Sequence, residues 1–437
     1  MTAMNNPENP FPTRKSKWRL MAALAVFALS TGAGAQGFDP GDPAMDGYKL
    51  PGDPAMDGYK LAGGIEPIVH LRTFFWDGES TSGRPTSAWA LGGWVGLRTP
   101  WWGDFFQLGA NYYLSEKLYG PEGEGGSRLL TANQESINVL GEAFAAFRLA
   151  GQTLTAYRQR INRPFINPND SRMIPNTFEA YTLSGAAHDV SYTGGYITKI
   201  KLRDTDRFTW MSNAAGGDGN QQGVAFAGMT WNFGNGGAIR FDEQYAIDVF
   251  NTIYTDVSYP IALDDKTGIV LGAQYYPQTS VGADQIGSFS TWGFGLRMAV
   301  RHGPFGGQFM WTQTGAGYST QNPFGTHPSY LSLQQQDFNS AGEKAWGIGA
   351  NIDFTSFGAP ELTARAIYAS GSDRLANGTG APLPNQNETN VRVDYAFRKG
   401  TPLEGLIATF RYSWLHEDGA AQTGTQLRAI LNYAVRF

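Results

Sequence analysis

The stretch LRAILNYAVRF, Leu427 to Phe437, decides how the rest of the chain is read. Leu427, Ala429, Leu431, Tyr433, Val435 and Phe437 fall on one side of an extended strand, and Arg428, Ile430, Asn432, Ala434 and Arg436 on the other. Successive side chains of a strand point to opposite faces. One face is therefore apolar throughout, while the other carries two arginines and an asparagine. An isolated strand of a soluble sandwich shows the same alternation. What decides is the aromatic residue at the end of the pattern, together with the many similar segments that precede it. A strand of about ten residues, apolar outside and polar inside, is the unit of a transmembrane β-barrel.

Working back from that strand, eighteen segments read as strands: 65–77, 88–98, 104–114, 136–149, 152–160, 178–187, 189–203, 224–234, 237–248, 251–262, 268–277, 288–301, 304–313, 344–355, 361–369, 389–397, 404–414 and 427–437. In 404–414, Leu406, Ala408, Phe410, Tyr412 and Trp414 oppose Thr409, Arg411 and Ser413. In 288–301, Trp292, Phe294, Leu296, Met298 and Val300 oppose Arg297 and Arg301. Connections alternate between short turns, such as 234–237 and 302–303, and long loops, such as 115–135, 161–177, 204–223 and 314–343. Short turns on the periplasmic side and long loops outside are the outer-membrane pattern, and the short connection near Phe250 is its exception. The expected fold is all-β: one antiparallel transmembrane barrel over residues 65–437, with eighteen strands.

Composition agrees. Charged residues are 16% of 437, against roughly 25% in ordinary globular chains, while aromatics reach 14% and glycine 56 residues. No apolar run past the N-terminus approaches the roughly 20 residues of a membrane helix. The absence of cysteine excludes disulfides, thiol catalysis and thiolate metal ligation.

Residues 1–35 read as a secretory signal, with Arg14, Lys15, Lys17 and Arg19 before the apolar stretch Leu20 to Ser30 and a small-residue cleavage site at Ala33-Gly34-Ala35. Its removal takes the 33 basic and 38 acidic residues to 29 and 37, a net −8. An acidic exported chain is no candidate for nucleic-acid binding. Residues 36–64 are expected to form a flexible lead-in, in which Gly41–Leu50 recurs identically as Gly52–Leu61.

The connection 161–177 stands apart. Arg158, Arg160, Arg163 and Arg172 crowd with Asp170 around three prolines, which stiffen the backbone. A rigid charged loop entering the lumen would narrow it and set charge selectivity; the plainer alternative is that Asp170 and Arg172 only pin the loop to the wall. The five histidines lack any metal-binding spacing, and no G-x-S-x-G elbow appears. No cofactor, bound metal or catalytic residue is expected.

Several stretches resemble the OprD-type outer-membrane porin family: RQRINRP and NDSRMIPNTFEAYTL between Arg158 and Leu183, QQQDFNSAGEKAWGIGANIDF from Gln334 to Phe354, and ETNVRVDYAFRKG followed by the terminal strand. The resemblance runs from about Arg148 to Phe437. It implies an eighteen-stranded, substrate-selective channel for small carboxylates, basic amino acids in one subgroup and organic anions in another. It also implies a ladder of lumen arginines that passes the carboxylate. Here Arg365, Arg392, Arg411 and Arg428 lie on four consecutive strands with Arg72 beyond the closure, and alternation points all five inward. Expected partners are small anionic or zwitterionic solutes, outer-membrane lipid and the barrel-assembly machinery, because the terminal Phe437 resembles the signal that machinery reads. Monomer and homotrimer both stay open.

Overall fold

A computed structural model describes residues 62–434 apart from Asp218 and Lys399. The expected signal segment, the duplicated stretch up to Leu61 and the terminal Phe437 lie outside the described residues. Nineteen strands follow one another in order: β1 (Glu66–Glu79), β2 (Pro85–Arg98), β3 (Phe106–Tyr119), β4 (Ile137–Leu149), β5 (Gln152–Gln159), β6 (Thr177–Ala187), β7 (Val190–Lys201), β8 (Thr209–Trp210), β9 (Val224–Phe233), β10 (Gly237–Ala246), β11 (Phe250–Ala262), β12 (Thr267–Ser280), β13 (Ser290–His302), β14 (Phe305–Thr314), β15 (Lys344–Asp353), β16 (Leu362–Ser372), β17 (Gln386–Ala396), β18 (Leu406–Glu417) and β19 (Gly424–Ala434). Each pairs antiparallel with the next, except that β8 is a two-residue addition to β7, which itself pairs with β9. β1 pairs with β19 from His70 opposite Ala434 to Glu79 opposite Thr425. The sheet therefore closes on itself as an eighteen-stranded barrel with no free edge, which satisfies the backbone in a medium without water.

All eighteen wall strands occupy the segments expected from alternation. They run further on the loop side, to Glu79, Tyr119, Ser280, Ser372 and Glu417. Above the lipid both faces meet water, so the apolar period stops while backbone pairing continues. On the turn side, β2 and β3 are joined by 99–105, which is more than a tight turn and is closed by a Trp102–Phe106 bridge.

Large apolar side chains line the outside: Leu71, Val95, Leu183, Met298, Ile348 and Phe410 are each 40–57% exposed. A continuous apolar surface of this kind suits lipid and is not sustained in water. Aromatic pairs flank it at both ends, among them Phe105–Phe147 and Phe305–Phe357 on the turn side, and Trp346–Tyr368 and Tyr412–Trp414 on the other.

The inner face departs from the expected polar lining on one side. Phe74 and Trp76 of β1, Trp94 of β2, Tyr113 of β3 and Ile137 and Val139 of β4 point inward and are buried against Leu129, Leu130, Met173 and Ile174. Those four partners belong to the loops 120–136 and 160–176. Over this part of their length strands β1–β4 are apolar on both faces, lipid outside and folded loops inside, while Arg72, Asn111 and Glu142 keep polar positions on the same inner side.

Candidate functional site

Two loops cross the interior. The loop 160–176 reaches Arg72 of β1 through Asp170, Asp242 of β10 through Arg163, and Tyr254 and Tyr276 of β11 and β12 through Phe165. The loop 315–343 places Tyr330 on Asp256 of β11 (3.0 Å), Gln334 on Ser413 of β18 (3.0 Å), and the backbone N–H groups of Gln335 and Gln336 on Glu388 of β17 (2.9 Å each). Contacts with strands so far apart around the ring require each loop to span the lumen. The wall makes room with glycine: a Cβ at Gly272 would come within 2.7 Å of the Tyr330 hydroxyl, and one at Gly295 within 3.1 Å of its ring.

Arg72 is the main tie of the first loop. It donates to Asp170 Oδ1 at 2.6 Å, to Asn432 Oδ1 at 2.6 Å and to the Arg172 carbonyl, and its guanidinium lies 5.6 Å from the Trp94 ring centroid. Burial alone would raise the Asp170 carboxyl, but Arg72, with Arg160 behind it, holds it below the ordinary aspartate range. Arg160 donates to Glu142 Oε1 (2.9 Å) and lies over Trp94 (4.8 Å). Arg172 donates to the Ser127 carbonyl (2.8 Å) and sits over Trp76 at 4.5 Å, a ring that Arg428 also approaches at 4.2 Å. Arg160, Asp170 and Arg172 thus lie in the loop 160–176, each tied to the wall or to a second loop by these contacts. Arg158 is a correction: it belongs to β5, not to the loop, and pairs with Glu179 at 3.1 Å. Glu179 stands between Phe178 and Ala180, which are buried on the inner side, so the Arg158–Glu179 pair faces outward.

The other arginines share one register row. Arg365 is opposite Arg392, Arg392 opposite Arg411, and Arg411 opposite Arg428. Neighbouring strands lie about 4.8 Å apart, so four guanidiniums line one continuous stretch of wall. The row also climbs. Arg365 is three residues from Leu362 at the turn end of β16, Arg392 four from Ala396, Arg411 five from Leu406 and Arg428 six from Ala434. Each strand raises the arginine by one residue, about 3.3 Å along the strand. Arg72 is not part of this row: the residue opposite Arg428 on β1 is Trp76, and Arg72 is opposite Asn432. Arg392 is held by a two-toothed pair with Asp394 (2.6 and 2.9 Å), and Asp394 also accepts from Thr409 (2.6 Å). Arg428 is fully buried and donates to the Gln334 carbonyl at 2.8 Å, so the top of the row carries the second loop.

Sequence reasoning missed Asp242, Asp256 and Tyr330. The two aspartates were legible as charges inside alternating strands, but nothing local marked which loop would reach them. His327 was also missed. It is fully buried between the two loops, edge-on to Phe165 and Tyr276 (5.7 Å each), with Nε2 2.8 Å from Thr320 Oγ1 and Nδ1 accepting the Ser329 N–H at 3.3 Å. Burial pushes the imidazole pKa down, and the charge of Asp337 only partly opposes this. A depressed histidine is neutral in the packed state and takes up its proton more readily when released. The packing is therefore intact above about pH 6.5 and loses stability as the pH falls below it. Single-channel recordings near pH 5 are expected to show more open-state noise than at neutral pH, and His327→Gln is expected to abolish the difference. An unchanged pH response in that variant would assign the effect elsewhere.

A family model described as outer membrane porin, OprD family, matches residues 69–437. Porin D of Pseudomonas aeruginosa is 22% identical over 301 residues, covering 62% of this chain and 66% of that protein, just under two thirds of its length. Among solved structures, OccK9 (OpdG) of P. aeruginosa superposes with a TM-score of 0.78 at 19% identity, over 86% of this chain and all of that one. OccAB3 of Acinetobacter baumannii gives 0.78 at 15% identity over 85% and 99% of the two chains. OccK2 (OpdF) of P. aeruginosa, solved in complex with glucuronate, gives 0.74 at 15% over 86% and 99%. A closed eighteen-stranded barrel with two loops folded across it, matched by one family model over nearly all its described length, places this chain in the OprD family of outer membrane porins.

Proposed function

We propose that this porin passes small carboxylate-bearing solutes down their gradient along the arginine row, with the loops 160–176 and 315–343 narrowing the path. The carrying observation is the register: Arg365, Arg392, Arg411 and Arg428 stand directly opposite one another on four consecutive strands. A carboxylate entering a narrow lumen sheds water, and guanidiniums replace it with two-toothed hydrogen bonds. Several moderate stations let the solute leave again, whereas one strong site would trap it. Glucuronate in OccK2 and vanillate in OpdK, both carboxylates, support this reading. Arg72, Arg160, Asp170 and Arg172 act as the frame that keeps the first loop in place. The chain works as a conduit and not an enzyme, after removal of residues 1–35, with 36–64 as a periplasmic lead-in.

Planar-bilayer conductance with a panel of carboxylates and basic amino acids tests the proposal. Carboxylates should permeate or block at lower concentration than uncharged analogues of equal size. Insertion without conductance would favour a scaffold barrel. We also propose that Phe437 is read by the barrel-assembly machinery: its deletion is expected to lower the yield of heat-modifiable barrel while export continues, and a normal yield would remove that role.

A further inference from the structure

We infer that Arg301, at the periplasmic mouth, is the end station of the arginine row, reached from Arg365 by way of Asn351. The inference rests on the solute path proposed above and extends it to a residue outside the four-arginine set. The register is continuous. Asn351 is opposite Arg365, Gly306 opposite Asn351, and Arg301 opposite Gly306. The descent is continuous too: Asn351 lies two residues from Asp353 at the turn end of β15, Gly306 one from Phe305, and Arg301 one from His302. The same row that climbs one residue per strand towards Arg428 therefore runs down to the rim at Arg301.

Arg301 faces the lumen. It shares its side of β13 with Arg297 and Ala299, both buried inward, while Leu296 and Met298 are exposed to lipid. Both residues paired with it across the sheet are glycines, Gly268 on β12 and Gly306 on β14. No neighbouring Cβ crowds its stem, and the side chain is exposed. Of the acids in the adjacent turns, Asp264 accepts the N–H groups of Lys266 and Thr267 (2.8 Å each) and Asp353 accepts that of Thr355 (2.8 Å).

Asn351 fills the gap. Its Oδ1 overhangs Gly306, where a Cβ would lie only 2.3 Å away, so the amide leans from its own strand towards that of Arg301. Three strand spacings, about 14 Å, separate Arg301 from Arg365. That exceeds the reach of one carboxylate between two guanidiniums, and an amide N–H donor between them shortens the step. A hydrated arginine at the rim draws anions in and holds them weakly, which favours release into the periplasm and capture from it.

The test compares Arg301→Gln, Arg301→Glu and Arg301→Lys with the Arg392→Ala/Arg411→Ala double variant, using potassium benzoate and potassium glucuronate added to one chamber at a time. Heat-modifiability confirms that each barrel has formed. Benzoate entry from the periplasmic side is expected to fall about threefold in Arg301→Gln and about tenfold in Arg301→Glu at low salt, with entry from the outside unchanged and Arg301→Lys near wild type. If periplasmic entry is unaltered in Arg301→Glu while the double variant loses anion flux, Arg301 is a rim residue and this inference is wrong. If the double variant is also unaltered, the solute path itself is wrong and Arg301 falls with it.

Discussion

Replacing Arg72 with alanine is expected to widen the channel and blunt its selectivity more than any other single change in the loop frame. Arg72 is 6% exposed and ties three things together: Asp170, the backbone of Arg172 and Asn432 of the closing strand. Removing one partner of a buried ion pair leaves the other charge uncompensated, at a cost of about 3–5 kcal/mol. Here the low end applies, because the Asp170 side chain retains 31% exposure. The barrel has eighteen strands to hold it and should still assemble. The loop 160–176 has far less and should leave the lumen for part of the time. Higher and noisier conductance, and loss of discrimination between carboxylates of different size, are the outcomes to record. Asp170→Asn keeps the shape and removes the charge, so it should show the same change more weakly. Wild-type conductance in both variants would mean that the apolar contacts of Met173 and Ile174 hold the loop unaided.

The second large effect is expected from replacing Arg392 and Arg411 together with alanine. The two stand opposite one another in the middle of the row. Hydrogen bonds to charged groups contribute about 1.5–3 kcal/mol each where water is excluded, and less in a hydrated lumen. Even a loss of about 1.4 kcal/mol lowers occupancy tenfold. Carboxylate flux should therefore fall several-fold to tenfold and lose much of its salt dependence. The double change also strips Asp394 of its two-toothed partner, leaving Thr409 as its remaining side-chain donor among these contacts. An uncompensated carboxylate on that wall should move the reversal potential towards cations. Arg392→Lys/Arg411→Lys keeps the charge and should preserve anion preference while weakening two-toothed recognition. Reversal potentials and carboxylate flux at wild-type values would reduce both arginines to wall residues.

How much of this was legible in the sequence follows from where each signal is stored. Strand number, order and inward-facing positions are local properties of a closed antiparallel wall. Wall residues at membrane height meet lipid or lumen, and in later strands such as β13, β17 and β18 the choice is written in period two. That is why the alternation alone places Arg365, Arg392, Arg411 and Arg428 on successive inward faces. The N-terminal wall was less clear for a physical reason. Phe74, Trp76, Trp94 and Tyr113 face inward yet are apolar, because loops cover them, so the alternation between apolar and polar residues disappears there.

Register and long-range pairing were decided by the tertiary structure. Period-two reading separates the faces of a strand but does not say how far the strand slides against its neighbour. The four arginines could have been scattered in height; closure of the barrel with a shared register is what makes them a climbing row ending on Trp76 and not on Arg72. The loops carry even less local information. That Tyr330 meets Asp256 across 74 residues, or that Arg72 meets Asp170 across 98, depends on loops folding back into a cavity whose shape exists only once eighteen strands have closed. Arg158 shows the same limit on a small scale: β5 ends at Gln159, so Arg160 leaves the wall, while Arg158 alternates with the buried Gln159 and faces Glu179 on the outer side.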